Sequence, residues 1–145
     1  MAFQHVAFAA LAATSMFILQ PTEGCGGTTT DYPREVATDG GTYWVTYAPS
    51  PDPIPMGSAF SMKVAVYSNA DHTDLQEDVK IAADAWMPDH GHGMPTVPRV
   101  TANGDGTFTV SNMTFSMEGY WQILVDVSRS GKPAEEAVFE VDCCE

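Results

Sequence analysis

Basic residues are scarce in this chain. Six Lys and Arg stand against nineteen Asp and Glu, a formal net charge of −13 at pH 7 with His neutral. That balance repels phosphate backbones and disfavours nucleic-acid binding. It also repels anionic lipid head groups, so membrane attachment would need a covalent or apolar anchor. Cysteine is rare as well, with Cys25, Cys143 and Cys144 the full set of three, and they form no closed zinc motif. The chain also lacks a nucleophile elbow, a recognisable pair of catalytic carboxylates and a phosphate-cradling glycine loop. Asn103-Gly104-Asp105-Gly106 lacks the further oxygen ligands and later glutamate of a calcium loop and reads as a turn. These absences point to a protein that is not an enzyme. No stretch sustains a helical period, and no repeat of about 20–50 residues appears.

What is present describes one folded domain. Apolar residues make up 44% and charged residues 17% of 145, a globular composition rather than that of an acidic disordered tail. Residues 6–19, VAFAALAATSMFIL, fall short of the ~20 residues of a comfortable membrane span and match a signal-peptide hydrophobic region. The flank before them, residues 1–5, has no Lys or Arg. Cys25 follows in Thr22-Glu23-Gly24-Cys25-Gly26, where a bacterial lipoprotein carries its lipidated cysteine. Gly24 suits that role, whereas Thr22 and Glu23 depart from the lipobox pattern. The expected organisation is a signal peptide or lipoprotein signal over residues 1–25, a flexible tether over 26–40 and a β-domain over 41–145, outside the cytoplasm, either periplasmic or lipid-anchored.

From residue 41 onward the period is two. Tyr43, Val45 and Tyr47 alternate with polar neighbours until the proline-rich residues 49–55 stop the strand. Phe60, Met62, Val64 and Val66 mark a second strand, and Val79, Ile81, Ala83 and Ala85 a third. Between them His72 sits in a charged connection, where it is expected to be solvated. Residues 100–102 and 107–112 flank the Asn103–Gly106 turn as a hairpin. Met113, Phe115 and Met117 continue the alternation, Trp121, Ile123, Val125 and Val127 form the most regular strand, and Ala137, Phe139 and Val141 close the sheet. About seven short strands at this spacing predict an all-β fold, an antiparallel sandwich. Trp86 and Trp121 both lie in period-two stretches and are expected in its core.

The third strand delivers the chain into Trp86-Met87-Pro88-Asp89-His90-Gly91-His92-Gly93-Met94-Pro95. Residues two apart in extended chain project to one side, so His90 and His92 can converge on one ion. Gly91 and Gly93 put no side chain in the way, and Pro88 and Pro95 stiffen the loop. Met87 and Met94 add a thioether at either end. Imidazole alone suits several metals, but thioether beside imidazole selects copper, above all Cu(I). The candidate ligands are therefore His90, His92, Met94 and Met87, with Met117 a remoter one that also fits core packing. Met56 has the same ambiguity, and Asp89 offers an oxygen ligand or an orienting partner for a histidine. Against this stands a plainer reading, with Met87 as core and the Gly-His-Gly pieces a polar tip that binds nothing.

The Trp86-Met87-Pro88 element with its His/Gly/Met loop is followed by Gly104-Asp105-Gly106-Thr107-Phe108 and Phe115-Ser116-Met117-Glu118-Gly119-Tyr120-Trp121. In this order the three elements resemble the YtkA-like domain family, related to FixH-type proteins, over about residues 41–141. The resemblance implies an immunoglobulin-like antiparallel sandwich in an extracytoplasmic or membrane-anchored bacterial protein. Some relatives are linked to copper delivery and cytochrome oxidase assembly. The two-histidine loop departs from the family, whose members often carry more methionine there, and suits Cu(II) as well as Cu(I).

For the cysteines three pairings stay open: a vicinal Cys143–Cys144 disulfide, a bond to another chain, or a bridge to Cys25 that would exclude lipidation of Cys25. The function expected is copper binding through the His/Met loop, for buffering or delivery to a membrane or periplasmic partner. The alternative is a structural or protein–protein interaction module of a cell-envelope complex with no metal.

Overall fold

The computed structural model describes residues 32–143. Nine strands appear: β1 (Glu35–Ala37), β2 (Trp44–Ser50), β3 (Phe60–Tyr67), β4 (Lys80–Met87), β5 (His92–Gly93), β6 (Arg99–Ala102), β7 (Thr107–Met113), β8 (Gly119–Ser128) and β9 (Glu135–Cys143). They form a five-stranded sheet in the order β1-β2-β3-β7-β6 and a four-stranded sheet in the order β5-β4-β8-β9. Every pairing of named strands is antiparallel. The all-β sandwich expected from the alternation is what forms. Among the described residues no helix is long and apolar enough to cross a membrane.

The alternation translates directly into a two-sided core. Tyr43, Val45 and Tyr47, Phe60, Met62, Val64 and Val66, and Trp121, Ile123, Val125 and Val127 are all buried, from one sheet or the other. Side chains at every second position face the opposing sheet, and the rest face water. Aromatic rings tie the sheets together: Tyr47 meets Phe139 edge-on at 4.8 Å, and Phe115 stacks on Trp121 at 4.8 Å.

Nine strands rather than about seven reflect two short additions. Strand β1 lies within residues 26–40, expected as a tether, because Val36 packs against the core while β1 pairs with β2. Strand β5 is formed by the histidine loop itself. Strand β2 also runs through Pro49, where a stop was expected. The N–H of Tyr47 points to the β1 side and bonds the Arg34 carbonyl. Pro49, two residues on, therefore directs its missing donor toward the same side, where no β1 residue pairs with it.

Two expected placements are corrected. Trp86 is 41% exposed rather than core. The inward residues of β4 are Ala85 and Met87, so a residue between them must point outward. His72 is not solvated: it is half-buried, stacks on Tyr67 with ring centres 4.6 Å apart, and sets Nε2 3.6 Å from a Glu35 carboxylate oxygen.

Candidate metal site

The histidine loop is a hairpin on an edge of the four-stranded sheet. Strand β4 ends at Met87, residues 88–91 turn, and β5 returns with Met87 opposite His92 and Trp86 opposite Gly93. The Gly91 N–H bonds the Met87 carbonyl at 2.9 Å, closing the turn. Gly91 adopts φ +66° there, a left-handed conformation that costs glycine nothing. The hairpin therefore orders the loop by backbone bonding, with no ion required.

Its register decides where each candidate ligand points. Met87 is buried, and His92, directly opposite, shares its face and turns inward. The His92 ring reaches to 6.0 Å from the ring of buried Trp121, at 72°. His90, in the turn, is exposed, and its ring centre is 5.9 Å from that of His92, at 65°. Metal–imidazole bonds of about 2.0–2.1 Å put ring centres at most about 6.4 Å apart when two histidines share an ion. The observed separation lies inside that limit.

The His92 tautomer follows from its neighbour. Its Nδ1 lies 2.9 Å from the Gly93 carbonyl oxygen, which can only accept, so Nδ1 carries the proton. A neutral ring then keeps its lone pair on Nε2, the arrangement of metal-binding histidines whose other nitrogen is held by a carbonyl.

The sulfur atoms differ in availability. Met94 is half-buried, packs against the core, and its Sδ accepts the Thr114 N–H at 3.3 Å, leaving one thioether lone pair unengaged. Met87 is 1% exposed, and its methyl lies 3.1 Å from where a Cβ on Gly119 would stand. Gly119 leaves Met87 room because it has no side chain. Met117 is 38% exposed, and its carbonyl accepts the Trp121 Nε1–H at 3.0 Å, so its backbone is fastened beside the indole that His92 approaches. Met56, 45% exposed, bridges to Phe115, which stacks on that indole. Asp89 lies exposed in the turn. Among the described residues no group of three or more His, Cys, Asp or Glu is arranged to hold a metal ion. A third donor beside the two imidazoles would thus have to be sulfur, backbone or solvent.

Sequence reasoning missed three partners of this hairpin: Trp121 as the wall beside His92, the Thr114 N–H on the Met94 sulfur, and Gly119 as the space for Met87. Parity could have exposed the first, since the inner face of β8 leads to Trp121. The other two depend on contacts between segments distant in sequence, for which no local signal exists. Cys25 and Cys144 lie outside the described residues. Cys143 is buried, ends β9 opposite Gly119, and is disulfide-bonded. A disulfide sulfur offers no thiolate to an ion.

Comparison with known proteins fits this fold. The crystal structure of a DUF4426 family protein from Pseudomonas aeruginosa PAO1 superposes with a TM-score of 0.52 at 13% identity, covering 75% of this chain and 94% of the other. At that identity the likeness concerns the fold alone. No curated protein sequence matches the chain. The YtkA-like family model matches residues 48–126, more than half of the sequence and the whole span from β3 through the histidine hairpin into β8. The chain belongs to the YtkA-like family.

Proposed function

We propose that this protein is a non-catalytic, extracytoplasmic copper-binding module that buffers the ion or hands it to an envelope partner. His90 and His92 are the principal ligands, with Met94, Met87 and Met117 as the sulfur donors that favour Cu(I). The observation that carries the reading is the histidine pair. Two rings 5.9 Å apart stand on a closed hairpin, one with Nδ1 committed to a carbonyl and Nε2 left for an ion. When bound, the metal would contribute its preference for soft ligands and its exchange between partners. The chain contributes a hairpin already ordered, so less conformational entropy is lost on binding. The net charge of −13 raises local cation concentration without selecting among cations. The disulfide at Cys143 supports an oxidising compartment. Export by residues 1–25 and lipidation of Cys25 belong to the same proposal and concern residues outside those described.

The test is titration of the protein with Cu(I) and Cu(II) against a chromophoric competing chelator. The expected result is one tight equivalent, with affinity lowered at least about tenfold in a His90→Ala/His92→Ala variant. Unchanged affinity in that variant would remove the proposal. Tryptophan emission gives a second readout, because a paramagnetic Cu(II) ion held by His92 quenches the Trp121 share of it.

A further inference from the structure

Apart from one corner, where the Tyr32 ring lies 6.3 Å from that of Tyr120, the outward face of the four-stranded sheet has no partner among the described residues, and its composition is specific. Register places Trp86, Gln122 and Glu140 in one row, Asp84, Leu124 and Val138 in the next, and Ala82, Asp126 and Glu136 in a third. An apolar centre runs diagonally across it: Trp86 is 41% exposed, Val138 is 36% exposed, and half-buried Leu124 lies between them. Around that centre stand Asp84, Asp126, Glu136, Glu140 and Asp142. Of the six basic residues in the sequence, Arg34, Lys63 and Arg129 pair with acids elsewhere, at Asp52, Asp105 and Asp78. Arg99 is on the other sheet, Lys132 is in the β8–β9 turn, and Lys80 alone shares this face, at its far end opposite Ser128.

We infer that this face docks a basic protein surface with an apolar contact at its middle. Exposed tryptophan on an open sheet face, ringed by charge of one sign, is the arrangement of an interface anchor with a polar rim. Charge complementarity chooses the occupant. A second copy would set carboxylates against carboxylates, and like-charge juxtaposition disfavours that pairing. Residues 1–31 hold no Lys or Arg, so that segment cannot neutralise the rim. Nucleic acid and anionic lipid are repelled for the same reason. The face also adjoins the histidine hairpin, because Trp86 pairs with Gly93. A partner seated on Trp86 therefore reaches the hairpin from the side opposite His92. The inference uses no property of copper and stands or falls apart from it.

The experiment follows backbone amide shifts of the full-length, metal-free protein in 50 mM and 300 mM salt. The probe is a short peptide alternating lysine with leucine and tryptophan, and a glutamate-for-lysine version is the control. Saturable, salt-weakened shifts confined to residues 80–86, 120–126 and 136–142 with the lysine peptide, and none with the control, support the inference. A Trp86→Ser variant, which leaves net charge unchanged, should bind at least fivefold more weakly, and an Asp84→Asn/Asp126→Asn variant, which removes two of the five rim carboxylates, should show a measurably weaker salt dependence. The His90→Ala/His92→Ala variant should bind the peptide as well as the parent, which separates this result from failure of the copper proposal. Shifts spread evenly over the acidic surface, equal binding by Trp86→Ser, dimerisation that protects Trp86, or a face already covered by the chain's own residues would each overturn it.

Discussion

At the scale of single residues, two methionines that look alike in sequence do different work. Met87 fills core space beneath the hairpin, and Met94 uses its sulfur to satisfy the Thr114 N–H. Leucine conserves volume at both positions but accepts no hydrogen bond. Met87→Leu should therefore cost less than about 1.5 kcal/mol. Met94→Leu leaves a largely buried N–H without its acceptor and should cost about 1 kcal/mol more. Urea denaturation of the two variants checks the order, and equal stabilities would show that the Met94 contact carries no weight. The residue scale also explains why Trp86 and Trp121 part company. Trp86 lies between inward Ala85 and Met87 and pairs with outward Gln122, one position from Trp121, whereas Trp121 shares inward parity with Ile123 and Val125.

At the scale of elements, the β6–β7 hairpin was legible because its turn residues state their own backbone needs. Gly104 and Gly106 adopt φ +79° and +80°, and Asp105 accepts both the N–H and the hydroxyl of Thr107. The two glycines are nonetheless unequal. A Cβ on Gly104 meets nothing within 4 Å, whereas one on Gly106 stands 2.5 Å from Leu75 Cδ2 and 3.1 Å from Glu77 Cγ. Gly104→Ala should cost only the left-handed penalty, about 1–2 kcal/mol. Gly106→Ala adds a clash with the 75–77 segment and should cost about 1–3 kcal/mol beyond that. Thermal unfolding of the pair measures the difference, and equal losses would mean that Leu75 moves aside freely. The histidine hairpin was less legible, since Gly91 and the two-residue β5 gave no alternation long enough to mark a strand.

For the whole molecule, the two sheets are joined at the start of β9 by two carboxylates, Asp39, which accepts the Glu136 N–H, and Glu135. Glu135 accepts the Thr38 hydroxyl at 2.5 Å and the Thr42 N–H at 3.1 Å, lying over Gly40, where a Cβ would come within 2.4 Å of it. The Thr38 hydroxyl first, then Thr42, hold the Glu135 carboxyl below the usual carboxylate range. Asp52 is held low by its bond to Arg34. A depressed folded-state value means the unfolded chain takes up protons first, so this stabilisation is complete above the unfolded value near pH 4 to 4.5 and fades as pH falls through the folded one. Protonation of the excess acids relieves self-repulsion at the same time and acts in the opposite direction. Comparison with Glu135→Gln separates the two effects. The variant should melt lower than the parent at pH 7, and the gap should narrow below about pH 4. A gap independent of pH would remove Glu135 as an acid-sensitive clasp.

Alternation by itself determined the sandwich, because burying every second side chain of Tyr43–Tyr47, Phe60–Val66 and Trp121–Val127 admits few architectures other than two facing sheets. Sequence proximity put His90 and His92 in one short loop, although His90 stands in the turn and only His92 in a strand, not both in one extended run. Which side of the sheet each ring faces, which sulfur is spoken for, and that Trp86 looks outward onto an acidic face were decided only by tertiary structure. Those outcomes rest on register and on contacts between chain segments far apart, such as Thr114 with Met94 and Gly119 with Met87, and a local pattern carries no information about the distant residue that will fill or spare a given space.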